Sequence, residues 1–426
     1  MHEVSNPKIR PPVKLIDSDL GHKYVEFPDD VFFMESIAIN NDFEEGVAYA
    51  PVQCYKNGVE ESHLFRFTAA DTSATHIAGP IAAPGGSTDV TVFGSALSSD
   101  GILYLCCFNR NSILYFDLKT LNPREVEYVE CKEIPNVPAP NDVCVDPDDE
   151  TILYAVGGTQ RKLCYCVEFN NATHGRVYKI QLKDDDSHHI HTENKWLKTL
   201  AGVEVLNGEL WVAQLFNILK KPTHHGIISR LKEVWEGTDA QDQVWLADNI
   251  DCFDGNKLLC PAYSTLPASV VQSVKRFGFL ASWGNFVAQI ATAVMRKESV
   301  QEALKDPECS LAFSNTYVEE DAAHAPIRLI IIDPVTDESY HFEVDLDETR
   351  KTRGLVEIKD RDSDKVLGKR YHFNEQVTHA SHMKLGDTGF IACVNFEQPR
   401  ILLLEDTPFR DAVSSDRNTE GDALLG

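Results

Sequence analysis

The sequence predicts an all-β fold, a six-bladed β-propeller with a helical insertion in the fifth blade. Three observations predict it. Short apolar strands alternate with Asp, Gly and Asn turns, the strands recur in one order, and the recurrence has roughly the 40–50-residue length of a four-stranded blade. Strands are expected at Gly46–Cys54, His63–Ala70, Gly101–Phe108, Ser112–Leu118, Thr151–Gly158, Arg176–Leu182, Gly208–Phe216 and Gly226–Leu231. More are expected at Lys257–Ser264, Ile327–Pro334, Ser339–Leu346, Gly389–Asn395 and Arg400–Asp406. All are rich in Ile, Leu, Val, Tyr and Phe, the residues that suit a pleated sheet.

Each repeat opens with an apolar strand headed by a polar or small residue, followed by a turn and a strand with an aromatic or Leu near its start. Ser95–Tyr104 is one such unit, and Asn141–Asp148 leading into Ile152-Leu153-Tyr154 is another. Ala201–Trp211, Asp248–Gly255, Ala380–Asp387 and Glu35–Asn40 open the rest. The heads at 35, 95, 141, 201, 248 and 380 are 60, 46, 60, 47 and 132 residues apart. The long last interval holds an insertion of about 265–326 rather than a seventh blade. After Pro267, Ala281, Trp283, Phe286, Val287, Ile290, Ala291 and Val294 have near-helical spacing, which suggests a helix packed on the propeller. The whole chain, 1–426, is then one domain, with a C-terminal tail of about 407–426 and Lys23–Phe27 available to pair with the last blade and close the ring.

Charge narrows the partners. Forty Lys and Arg against sixty-six Asp and Glu leave a net charge of −26, which repels phosphate backbones and anionic lipid. Nucleic acid is therefore not expected as a partner; cations and small neutral substrates are. The opening residues Met1–Arg10 have no apolar run behind them, and no stretch approaches 18 apolar residues, so neither a secretory signal nor a membrane span is expected. The eleven cysteines have no disulfide-scaffold spacing, which suits a reduced, cytoplasmic protein; Asn171-Ala172-Thr173 is an isolated sequon. Oligomeric state is left open.

In a propeller the inner strands surround a central channel. Their heads here are Glu35, Ser95, Asn141, Ala201, Asp248 or Asn249, and the Thr378–His382 segment. Two carboxylates and two amides from separate blades make an oxygen-rich set, the kind that holds a hard cation such as Ca²⁺. The alternative is that Asn and Asp satisfy loop amides, as they do in many turns.

Asn141-Asp142-Val143, Leu200-Ala201-Gly202-Val203 with Leu210-Trp211-Val212-Ala213, and Asp248-Asn249-Ile250 resemble the blade motifs of calcium-dependent paraoxonases, regucalcin-type gluconolactonases and strictosidine synthase-like proteins. The resemblance runs as scattered motifs from about Glu35 to Glu405, and the insertion after Pro267 is similar to that of the strictosidine synthase-like branch. It implies that Glu35, Asn141, Asp248 and Asn249 hold a catalytic Ca²⁺ or another divalent cation, and that Asp142 belongs with a second, structural calcium. The chain departs from the pattern in three places. Ala201 stands where an Asn is expected, with Glu204 nearby along the strand; a paraoxonase-type histidine is absent near Phe93-Gly94-Ser95; and Thr378–His382 has no synthase glutamate.

His379, His382 and Asp248 remain for acid–base work. The expected function is calcium-dependent hydrolysis of a small neutral lactone or ester. The alternative is a strictosidine synthase-like propeller that binds a small molecule, or acts as a lyase or synthase, without hydrolysis. Asp184–His191 and His224-His225 read as exposed loops or turns, and Cys164-Tyr165-Cys166 as packing rather than a zinc site.

Overall fold

Strands bury both faces when sheets stack against sheets, and their sequences then lose the apolar–polar alternation of a half-exposed sheet. Ile102–Cys107 (ILYLCC), Ile327–Asp333 (IRLIIID) and Arg400–Glu405 (RILLLE) are of this kind. The computed structural model describes residues 13–16, 20–56, 59–121, 128–157, 175–183, 187–197, 200–214, 217–222, 232–236, 243–267, 326–344, 346, 355–359, 366–371, 377–394 and 400–414. They form a six-bladed propeller.

Blade 1 sets Val31–Phe33 and Ala38–Ile39 side by side along Val47–Lys56, followed by Val59–Thr68 and Thr75–Ala78. Blade 2 runs Val92–Leu97, Ile102–Cys107, Ser112–Asp117 and Lys132–Pro135 from inside to outside. Blade 3 is Pro140–Val145, Ile152–Gly157, Gly175–Leu182 and His188–Leu197; blade 4 is Leu200–Leu206, Glu209–Gln214, Asn217–Pro222 and Lys232–Glu236. Blade 5 pairs Gln243–Ala247 and Asp251–Phe253 with Lys257–Pro267, then adds Ile327–Asp333 and Glu338–Val344. Blade 6 is His379–Leu385, Thr388–Val394, Arg400–Glu405 and, from the other end of the chain, His22–Glu26.

Side chains alternate across each strand and feed two different cores. Leu103, Leu105 and Cys107 pack toward blade 1, while Tyr104 and Cys106 pack toward blade 3. Leu329 and Ile331 likewise join blade 6, and Ile330 and Ile332 join blade 4. Among the described residues the buried apolar side chains divide into six clusters, one between each pair of neighbouring blades.

The ring closes as the sequence suggests. His22–Glu26 lies antiparallel to Arg400–Glu405, with Val25 opposite Ile401 and buried between blades 6 and 1. Val13–Ile16 adds a parallel outer strand to blade 5, so the first segment straps two blades together. Part of the C-terminal tail is structural as well. Residues 407–414 form a helix whose Phe409 and Val413 are buried between blades 5 and 6, while 415–426 lie outside the described residues. The insertion interrupts blade 5 between Lys257–Pro267 and Ile327–Asp333; its expected helix falls on 268–325, outside the described residues. The sequon, Cys164-Tyr165-Cys166 and His224-His225 fall outside them too. His188–His191 is a correction: it is part of the outermost strand of blade 3 rather than a loop, because its backbone completes the ladder with Lys179–Leu182.

Removing residues 1–26 exposes the Arg400–Glu405 edge and opens the ring. The truncated protein should unfold at markedly lower denaturant and self-associate with concentration on size exclusion. Val25→Ala, a milder lesion at the same seam, should cost about 2 kcal/mol by chemical denaturation. Unchanged stability in both would mean the seam does not hold the ring.

Candidate functional site at the propeller axis

The inner strands have no further strand to pair with on the axial side, and each of the first five breaks its ladder there. The breaks fall at Met34–Ile37 between the two inner segments of blade 1, between Val92 and Ser95, at Asn141, at Ala201, and at Asp248–Ile250. The backbone groups freed at these breaks are met across the gaps between blades. Ser36 Oγ donates to the Phe93 carbonyl at 2.7 Å and lies 2.9 Å from Ser95 Oγ, linking blades 1 and 2. Asn141 Nδ2 donates to the Leu200 and Ala201 carbonyls at 3.2 and 3.0 Å, and Asp142 Oδ2 accepts from Val203 N at 3.0 Å, linking blades 3 and 4. Asn249 N donates to the Thr378 carbonyl at 3.3 Å, linking blades 5 and 6, and the His379 ring meets the Ile37 backbone of blade 1.

At two other gaps glycine permits close contact. A Cβ on Gly94 would collide with Asn141 and Asp142, and one on Gly202 with Asn249 and Ile250. These two glycines let blades 2 and 4 pack against their neighbours at the axis.

Five carboxyl groups gather in this ring. Burial raises Glu35 well above the usual carboxylate range, and the charges of Asp248 and Asp142 raise it further. Asp142 is also raised, chiefly by burial, while the Val203 and Val143 N–H groups pull it down. Asp248 is pushed up to about 7 by burial, against the opposing Asn249 N–H. Glu204 and Asp251 are hydrogen-bonded to each other, and burial together with their mutual repulsion holds a proton on the Glu204 side. Of the sequence-predicted ligands, Glu35, Asp248 and Asn249 therefore come together with Asp142, and Asn141 stands beside them. Glu204 joins the group through Asp251, whose role the sequence reading missed, although it lies two residues after Asn249.

The donor set suits a hard cation. Asn249 is 2% exposed, and its Oδ1 is buried with no hydrogen-bond partner, while its Nδ2 lies 3.1 Å from His379 Nδ1. A buried amide oxygen without a partner is the kind of donor that a hard cation takes up. The Asn141 amide hydrogens are committed to carbonyls, which orients that group too. Among the described residues no three His, Cys, Asp or Glu side chains stand close enough to hold a metal unaided, so amide oxygens would have to share the work.

The two histidines differ in what they offer. His379 is buried and lowered to about 4, so it is neutral near pH 7 and accepts from the Asn249 amide. His382 has both nitrogens occupied. Its Nδ1 accepts from Asp254 N at 3.2 Å, so its Nε2 carries the proton and donates to buried Asp406 at 2.8 Å. Asp406 also accepts from Arg410 at 2.8 Å, and these two partners hold its carboxyl below the usual range. His382 thus anchors the C-terminal helix.

No protein-family model matches the chain, and no curated protein does. Among solved structures it is similar to a luciferin-regenerating enzyme, with TM-score 0.46 and 10% identity over 90% of this chain and 95% of that one. It is also similar to a streptogramin B lyase (TM-score 0.40, 8% identity, 90% and 98% covered). A catalytically inactive virginiamycin B lyase from Staphylococcus aureus with quinupristin gives TM-score 0.40 and 9% identity, with 91% and 99% covered. Among the described residues no helix is long and apolar enough to cross a membrane.

The carboxyl groups of the ring make stability depend on pH. Their folded pKa values lie above the unfolded ones, so the native state binds more protons and stability falls as pH rises. For Asp248 the fall begins near its ordinary 3.8 and ends above about 7. In chelator-treated protein the melting temperature should drop between pH 5 and 8, and Glu35→Gln or Asp248→Asn should flatten the slope. A flat or rising wild-type profile would contradict the crowding of these groups.

Proposed function

We propose that the chain is a divalent-cation-dependent hydrolase, with Ca²⁺ the favoured ion, acting on a small neutral ester or lactone at the axial ring. The observation that carries this reading is the buried Asn249 Oδ1, which has no hydrogen-bond partner and follows Asp248, a carboxyl whose charge acts on Glu35 and Asp142. Glu35, Asn141, Asp248 and Asn249 would hold the ion. A bound divalent cation polarises a carbonyl and makes water more acidic, which is what ester hydrolysis requires.

The chain's own residues have separate tasks. Asp248, one of the groups that would hold the ion, would also take the proton of the attacking water. His379 is a weak base at pH 7 and acts through Asn249, whose amide it fixes so that the oxygen faces away from the imidazole. His382, with both nitrogens engaged, holds the last blade and helix in place. The ring's negative charge disfavours anionic substrates, hence the neutral class.

A second reading rests on Ala201. Its side chain supplies no oxygen where the resembling enzymes have an amide, and its carbonyl is already an acceptor for Asn141. That favours a propeller which binds a small molecule, or acts as a lyase or synthase, without hydrolysis.

Calcium titration followed by thermal unfolding separates the two readings. If the ion binds the native ring, the melting temperature climbs with the logarithm of calcium concentration, and Glu35→Gln and Asn249→Leu abolish the climb. Neutral esters and lactones, assayed with chelator and with added Ca²⁺, should turn over only in the second condition. Asp248→Asn should remove at least 100-fold of that rate, about the size of one lost general base. Absence of turnover in both conditions would leave the binding reading.

A further inference from the structure

Three phenylalanines stand beside the ring and have no task in the reaction proposed above. Phe33 ends the first inner segment of blade 1, two residues before Glu35. Phe93 lies on the inner strand of blade 2, two residues before Ser95, and its carbonyl accepts from Ser36. Phe108 follows the second strand of blade 2. Since Cys107 pairs with Val92 in antiparallel register, and Phe108 N donates to the Thr91 carbonyl, it stands at the same end of the blade as Phe93.

The rings form one continuous group. Phe33 and Phe93 have centroids 5.6 Å apart at 60°, and Phe93 and Phe108 4.7 Å apart at 37°. Both spacings lie in the range of favourable aromatic pairs. All three stay partly exposed, whereas Phe65, Phe67, Phe253 and Phe342 in the blades are buried. Partly exposed rings that bridge two blades next to a buried carboxyl cluster fit the usual pattern of a small-molecule site, an apolar lining with a few convergent polar groups.

We propose that Phe33, Phe93 and Phe108 are the specificity-determining wall of the site, and that they take an uncharged, planar aromatic group of the substrate. The proposal rests on the reading that the axial ring is where the substrate reacts, and adds the chemistry of the part that does not react. Angled rings present both edges and faces to a flat guest, a contact that an aliphatic group of equal size cannot match. The carboxylates of the ring disfavour an anionic guest, and an organic cation would compete with the metal for them. A neutral aromatic group remains.

Binding of non-hydrolysable probes to the full-length protein, by isothermal titration calorimetry, tests the wall apart from turnover. The probes are naphthalene-2-carboxamide, cyclohexanecarboxamide and 2-naphthylmethylammonium. The variants are Phe93→Leu and Phe108→Leu, which keep apolar bulk and remove a ring; their melting temperatures report folding. The naphthalene amide should bind more tightly than the other two probes, and each variant should weaken it about 2- to 12-fold. The proposal is overturned if that amide does not bind, binds equally to both folded variants, or binds no better than either competitor. If the amide behaves as expected but no ester or lactone is hydrolysed, the hydrolase reading fails and the wall stands.

Discussion

Six inner strands converge on an axis where none of them has a neighbour to pair with, and the rest of the site follows from that constraint. A buried N–H or C=O without a partner costs about as much as a lost hydrogen bond, so the axial edges have to be satisfied by side chains or by the next blade. Ser36, Asn141 with Asp142, and Asn249 do this at alternate gaps, and Gly94 and Gly202 let the backbones approach closely at the gaps between them. The polar residues at the centre are therefore required by the architecture before any chemistry is asked of them. What the architecture leaves over is the amide oxygen of Asn249, and on the proposed reading function would enter there.

The leftover groups are costly. Carboxyls brought into a poorly hydrated channel repel one another, and their raised pKa values express that cost. The blades carry it because their stability comes from elsewhere, from six separate apolar interfaces and from the strap of His22–Glu26 across the last seam. Separation of labour between seams and axis lets the centre stay polar, and explains why a metal would stabilise the fold as well as serve a reaction.

Much of the fold was legible because a blade has a period. Glu35, Ser95, Asn141, Ala201, Asp248 and Ala380 each fall on or beside an inner strand, and Lys23–Phe27 was legible as a segment available to close the ring. The register of side chains at the axis was less legible. Strands buried on both faces, such as Ile327–Asp333, show no alternation that would tell which residue faces which blade. His379 and His382, three residues apart, look equivalent in sequence, yet one lies against Asn249 at the axis and the other against Asp406 at the root of a helix. Asp406 is more than twenty residues from His382, so no local pattern announces that pair. Asp251 was overlooked because its partner Glu204 belongs to the preceding blade.

The ring is also lopsided, and the lopsidedness has a physical consequence. Blades 3 and 4 meet through the Asn141 amide and the Ala201 carbonyl, a direct bond between neighbouring blades. That side of the ring is closed by protein alone. The unpartnered amide oxygen of Asn249 belongs to blade 5, and the half-exposed aromatic rings rise from blades 1 and 2. On the proposed reading, a cation held by Glu35 would be bound only two residues from Phe33, so the metal site and the aromatic wall would share one stretch of blade 1.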